Sequence, residues 1–185
     1  GYTQTTPIQL CLMTAQIANG GYKIKPKILT NDFQPSSEQV KKAMQNSNLF
    51  NNYIPLYDDQ KNIKIIQEAM FSSTNELRGT SYKSRIDDPK YQFAGKTGTA
   101  QVKRISKRER ELDRKIFQIP YEERDHALYV AFGPYKNPRY SLSIIVEHGG
   151  SGSSAAAPMA TELFKLIIDR HKYRKQLPNY KEFNI

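Results

Sequence analysis

Two runs in the C-terminal third constrain the fold most: residues 126–134 (HALYVAFGP) and 140–147 (YSLSIIVE). Both are short, apolar and rich in β-branched and aromatic residues, which marks strands. Lys136-Asn137-Pro138 between them supplies turn chemistry, so the pair reads as a hairpin. Residues 92–102 read as a third strand, interrupted by its own glycines. Three consecutive strands, the last two tightly joined, imply an α+β chain: an antiparallel sheet with helices packed against it.

The remaining segments supply those helices. Thr6 can cap a helix, Pro7 suits its first position, and Gln9 can close a capping box. Ile8, Leu12, Ala15 and Asn19 follow at helical spacing, with Met13 and Ile17 beside them, until Gly20-Gly21 ends the helix. Residues 22–29 alternate like an edge strand or extended segment, with Pro26 arguing against a central one. Residues 30–60 are polar and read as a long surface connection with at most a short helix. Residues 61–75 form a second helix, with Ile63, Ile66 and Met70 on one face. Gly79-Thr80-Ser81 and Asp87-Asp88-Pro89 are loop signals. After the break at Gly149–Gly152, a third helix is expected over about 155–171, with Met159, Leu163, Leu166 and Ile167 as its buried stripe.

Charge narrows the partners. The chain has 28 Lys and Arg against 18 Asp and Glu, a net charge of +10. A basic chain can meet nucleic acid, anionic lipid or acidic polymers. The densest charges, in residues 103–125, mix signs, which favours a solvated helix or loop over a nucleic-acid surface. No nucleic-acid partner is therefore expected. The single cysteine, Cys11, excludes an internal disulfide and a cysteine-based zinc site, and reads as a small core residue. The three histidines have no metal-ligand spacing, so neither metal nor cofactor is expected. His148, at a strand end beside Glu147, suits a structural role better than a general base. Arg124 and Asp125 either touch a substrate or pair with each other, and pairing is favoured. No run approaches the roughly 18 apolar residues of a membrane span. Gly1 stands first in place of Met, from which a processed, excised or partial chain is expected.

The chemistry concentrates in Phe93-Ala94-Gly95-Lys96-Thr97-Gly98-Thr99-Ala100-Gln101-Val102. Gly95-Lys96-Thr97 invites a phosphate-loop reading, but Lys90 stands where that loop needs its first glycine, and strand rather than helix follows. The other reading is the Lys-Thr-Gly triad of serine acyl-transfer enzymes. Lys96 would then offer charge to a substrate's terminal carboxylate, and Thr97 and Thr99 hydroxyl hydrogen bonds. Gly98 would leave room for substrate against the backbone. A backbone N–H near Thr99 could form half of an oxyanion hole, worth roughly 3–4 kcal/mol per donor.

The wider context carries a family likeness. Gly1-Tyr2, Thr6-Pro7-Ile8-Gln9-Leu10, Ile17 to Gly21, Ala94 to Val102, Arg124 to Leu128 and Phe132 to Tyr135 all contribute. So do Asn137 to Tyr140, Val146 to Gly150 and Ser153 to Pro158. Together they resemble the transpeptidase domain of class B penicillin-binding proteins, nearest the penicillin-binding protein 2 type of the rod-elongation machinery. The likeness covers about residues 1–171, the C-terminal part of that domain, and leaves 172–185 as a basic tail. It implies that 92–102, 126–134 and 140–147 are the last three strands of a five-stranded antiparallel sheet of the penicillin-binding and β-lactamase type. The implied chemistry is acylation of a serine by a D-alanyl-D-alanine stem peptide of peptidoglycan, then cross-linking to a neighbouring stem. β-Lactams trap that serine. The implied location of the parent is the periplasmic face of the bacterial inner membrane.

The serine is the point of departure. The family's nucleophile lies in Ser-x-x-Lys, and no serine here has lysine three residues on. Thr80-Ser81-Tyr82-Lys83 comes nearest, but it lies in a loop and has threonine, the wrong residue, where the serine should be. Ser73-Thr74-Asn75 has the letters of the second motif, Ser-x-Asn, but sits too close to the Lys-Thr-Gly strand and reads as a polar helix end. The chain is thus expected to lack catalytic residues, to hold Lys96, Thr97, Gly98 and Thr99 as substrate-binding residues, and to be inert alone. Its partners would be the stem peptide and β-lactams, the missing N-terminal half of the domain and the rod-elongation machinery. The alternative is a non-catalytic module that binds a peptide or partner.

Overall fold

Backbone hydrogen bonding closes a three-stranded antiparallel sheet in the order β1-β2-β3. The computed structural model describes residues 4–26, 54–103 and 114–175. Strand β1 is Ala94–Ala100, β2 is His126–Gly133 and β3 is Tyr140–Val146. In register, Lys96 faces Val130, Thr97 faces Tyr129 and Gly98 faces Leu128, while Tyr129 also faces Ile144. Among the described residues, β1 and β3 are both sheet edges.

Helices α1 (Pro7–Ala18), α2 (Gln60–Asn75) and α3 (Ala157–Lys175) flank the sheet. The expected capping box starts α1: the Gln9 backbone N–H donates to Thr6 Oγ1 at 3.3 Å, and the Thr6 N–H donates to Gln9 Oε1 at 2.8 Å. Its buried residues are Thr14 and Ile17, whereas Ile8 is exposed. Asp59, unremarked in the sequence, caps α2 by accepting from the Lys61 N–H. Ile63 and Met70 are buried on α2, but their expected companion Ile66 remains 41% exposed.

Of the edge strand or extended segment expected over 22–29, the described residues 22–26 make one bridge, between Tyr22 and Pro55. Residues 27–29, most of the polar connection 30–60, residues 104–113 and the tail from 176 lie outside the described residues. In residues 114–125 the chain makes two single helical turns, Ile116–Gln118 and Tyr121–Glu123.

Strand β2 is fully buried on the face of Ala127, Tyr129 and Ala131; on the other face Phe132 is buried while Leu128 and Val130 are half-buried, so apolar residues serve both faces. On one face Ala127, Tyr129 and Ala131 pack with Ile86, Phe93, Ala157, Ala160, Phe164 and Ile168. On the other, Phe132 packs with Ile17, Met70 and Ala94. Small residues on both sides let α3 approach: Ala127 and Ala131 on the strand, Ala157 and Ala160 on the helix. Phe93 then stacks on Phe164 at 4.8 Å between centroids.

This geometry overturns the buried stripe expected on α3. Met159, Leu163 and Leu166 are 49%, 39% and 67% exposed, and Ile167 is only partly buried. The buried face is Ala157, Ala160, Phe164 and Ile168. The large aliphatic residues do not fit where the helix lies closest to the sheet. The helix also opens with a π-helical turn, Gly152–Ala156, and runs on to Lys175 rather than ending at 171.

Candidate functional site

Strand β1 brings Lys96, Thr97, Gly98 and Thr99 together at a sheet edge. Lys96 and Thr99 are exposed, and Thr97 and Gly98 are half-buried. Lys96 Nζ donates to the Thr97 carbonyl at 2.8 Å and lies 3.4 Å from Thr97 Oγ1. Gly98 is confined on one side: a Cβ there would stand 3.3 Å from Leu128 Cβ. Gly152 packs onto the same place, since its own Cβ would stand 2.7 Å from the Gly98 carbonyl oxygen. The start of the π-helical turn therefore lies directly over the strand.

Gly95 has a separate reason to be glycine. A Cβ there would run into the Tyr129 hydroxyl. That phenol is fully buried, 3.0 Å from both Thr74 Oγ1 and Ser81 Oγ. Burial pushes its pKa above the ordinary tyrosine range, and the bonds with Ser81 and Thr74 only partly oppose this.

A second set of hydroxyls reaches the site from outside. Thr80 Oγ1 is 3.3 Å from Thr97 Oγ1 and 3.1 Å from Ser73 Oγ. Neither contact was visible in the sequence, where Gly79-Thr80-Ser81 signalled only a loop and Ser73 only a helix end. Ser73-Thr74-Asn75 does close α2, as expected, and each of its side chains is engaged. Ser73 meets Thr80, Thr74 meets Tyr129, and Asn75 Nδ2 donates to the carbonyls of Phe71 and Phe93 at 3.0 Å.

Beside Lys96, a cavity of about 590 Å³ opens between α1, α2 and the sheet. Met13, Ile17, Ile66, Met70 and Val130 make its apolar wall, with Lys96 and Thr80 also lining it. The exposure of Ile66 and of Met13, at 41% each, comes from facing this opening.

At the far end of β1, the expected pairing of Arg124 with Asp125 does not form. Arg124 Nε donates to the Ile119 carbonyl, and Asp125 Oδ1 accepts from the Val102 N–H at 3.3 Å. The two carry their charges in different directions, so each finds a backbone partner. His148 takes a left-handed φ of 54°, and its N–H donates to His126 Nδ1 at 2.9 Å. Its own Nδ1 lies 3.1 Å from the Arg124 carbonyl. These bonds fit the structural role expected for it. Cys11 is half-buried on α1, with Sγ 3.4 Å from the Ser141 carbonyl. Among the described residues, no helix is long and apolar enough to cross a membrane.

Comparison with known proteins agrees with this geometry. The family model of the penicillin-binding protein transpeptidase domain matches residues 1–167. The peptidoglycan D,D-transpeptidase MrdA of Salmonella typhimurium is 32% identical over 177 residues, 91% of this chain and 26% of the relative. MrdA of Haemophilus influenzae is 29% identical across 100% of this chain and 26% of its own length. The chain thus spans about a quarter of the curated relatives it matches. Pseudomonas aeruginosa PBP2, solved in complex with WCK 5153, superposes with a TM-score of 0.61 at 32% identity, covering 92% of this chain and 31% of that one. Helicobacter pylori PBP2, in its complex with MreC, also gives 0.61, at 26% identity over 94% of this chain and 26% of that one. With an open antiparallel sheet, flanking helices and Lys-Thr-Gly on an edge strand, the chain belongs to the penicillin-binding protein transpeptidase domain family.

Proposed function

We propose that this chain is the substrate-recognising side of a peptidoglycan D,D-transpeptidase domain and carries no nucleophile of its own. The observation that carries this reading is the placing of Lys96 and Thr97 on an exposed strand edge beside an apolar cavity, in a sequence without Ser-x-x-Lys. Lys96 supplies the positive charge and Thr97 and Thr99 the hydroxyls for the C-terminal carboxylate of a D-alanyl-D-alanine stem peptide. Such charge-assisted bonds are roughly twice as strong as neutral ones. The backbone near Thr99 provides one side of an oxyanion hole.

The nucleophile-bearing half of the domain covers the cavity. Its apolar wall needs an apolar partner, and Lys96 at its margin sets the substrate edge against whatever fills it. With that half in place, the assembled domain acylates its serine with the stem peptide, passes the acyl group to a neighbouring amine, and is trapped by β-lactams. The parent works on the periplasmic face of the inner membrane with the rod-elongation machinery, as the likeness to penicillin-binding protein 2 suggests.

Equilibrium binding of acetyl-D-alanyl-D-alanine tests the recognition step. The chain should bind it weakly, and Lys96→Ala should abolish binding while leaving the fold intact. Equal binding by Lys96→Ala and wild type would refute the reading.

A further inference from the structure

We propose that Thr80 is a positioning residue for the carboxylate site, setting the direction in which the Thr97 hydroxyl donates. The inference rests on the proposed recognition of a carboxylate at Lys96 and Thr97. Thr97 has one hydroxyl proton. To bind a carboxylate, which only accepts, Thr97 must donate that proton to it. The bond between Thr97 and Thr80, 3.3 Å long, must then be donated by Thr80. Thr80 in turn accepts from Ser73, 3.1 Å away. Only one order satisfies all three hydroxyls at once: Ser73 to Thr80, Thr80 to Thr97, Thr97 to the substrate. Lys96 Nζ, 3.4 Å from Thr97 Oγ1, can only donate, so it favours the same direction.

The loop holds Thr80 in place from both sides. Gly79, four residues beyond α2, packs against that helix's last turn, where an added Cβ would stand 2.6 Å from the Ser72 carbonyl oxygen, and its N–H donates to the Glu76 carbonyl at 2.8 Å. Ser81 is 1% exposed, with its N–H and hydroxyl both donating to the Ser73 carbonyl, at 3.0 and 3.1 Å. Ser81 Oγ also meets the buried Tyr129 hydroxyl. Adjacent residues therefore face opposite ways: Ser81 fixes the loop to the core, and Thr80 presents its hydroxyl to the strand. Such preorganised support is what a recognition group needs to keep its geometry.

The test is a titration of the whole 185-residue chain with acetyl-D-alanyl-D-alanine, followed through the backbone amide signals of Lys96 to Ala100. Thr80→Val, which keeps the shape and removes the hydroxyl, should weaken binding roughly fivefold, the effect of losing one neutral hydrogen bond. Thr80→Ser should restore it. Ser73→Ala should weaken binding in the same direction, an independent break should Thr80→Val fold poorly. On a Thr97→Val background, Thr80→Val should cost nothing more, because Thr80 acts through Thr97. Wild-type binding by Thr80→Val, with binding still weakened in Thr97→Val, would overturn the positioning role and leave the site standing. Equal loss in Thr80→Ser and Thr80→Val would overturn it too, since shape rather than the hydroxyl would then matter. No response from the wild-type chain would overturn both the site and this role.

Discussion

At the scale of single residues, Tyr129 joins the sheet to the loop that serves the candidate site. Its phenol bonds Thr74 and Ser81 and occupies the space that a side chain at Gly95 would need. Gly95→Ala should therefore destabilise the chain by about 1–3 kcal/mol, the usual cost of overpacking, read from denaturant unfolding. Tyr129→Phe should cost about 1 kcal/mol for the lost hydroxyl bonds. It should also change the alkaline limb of stability. The folded phenol has a raised pKa, so its contribution is full below the unfolded value of 10.0 and is lost as pH rises above it. Melting curves on both sides of that pH should show a steeper alkaline loss in the wild type than in Tyr129→Phe. An identical pH dependence would show that the buried phenol is not the titrating group. The Lys-Thr-Gly run was legible because its residue types carry chemistry in a fixed local order. Tyr129, Thr80 and Ser73 were not, because Thr80 meets Thr97, 17 residues further on, Tyr129 meets Thr74, 55 residues back, and Ser73 reaches the strand only through Thr80. No local pattern records such meetings.

At the scale of elements, boundaries were legible where local chemistry decides them. Thr6, Pro7 and Gln9 specify the start of α1 without tertiary help, and the two short apolar runs, rich in β-branched and aromatic residues, with the turn between them specify the hairpin of β2 and β3. The buried face of α3 was not legible. That helix carries two apolar stripes, one of large aliphatic residues and one of alanines with Phe164 and Ile168. Side-chain size favours the first, but the close approach of helix and strand requires the second. Phe164→Ala should accordingly cost about 3–5 kcal/mol, whereas Leu166→Lys should stay within about 0.5 kcal/mol. Chemical denaturation of the two variants compares them directly, and the reverse order of costs would contradict the packing described for α3.

At the scale of the molecule, apolar surface is left open on both sides of the sheet. The cavity beside Lys96 lies between α1, α2 and the sheet, and Met159, Leu163 and Leu166 lie along α3. Among the described residues β1 and β3 also end the sheet without a further strand. Exposed edges and apolar patches are sites of association. The isolated chain should therefore self-associate in sedimentation velocity, and Met159→Lys with Leu166→Lys should shift it toward monomer. A stable wild-type monomer would count against the proposal that these surfaces are covered by a nucleophile-bearing half of the domain. The proposed function is more specific: we infer that this chain recognises the end of a stem peptide and has no nucleophile to attack it. The deciding experiment is incubation of the purified chain with a fluorescent penicillin, followed by a denaturing gel. No covalently labelled band is expected; a labelled band formed by the isolated chain would refute the absence of a nucleophile.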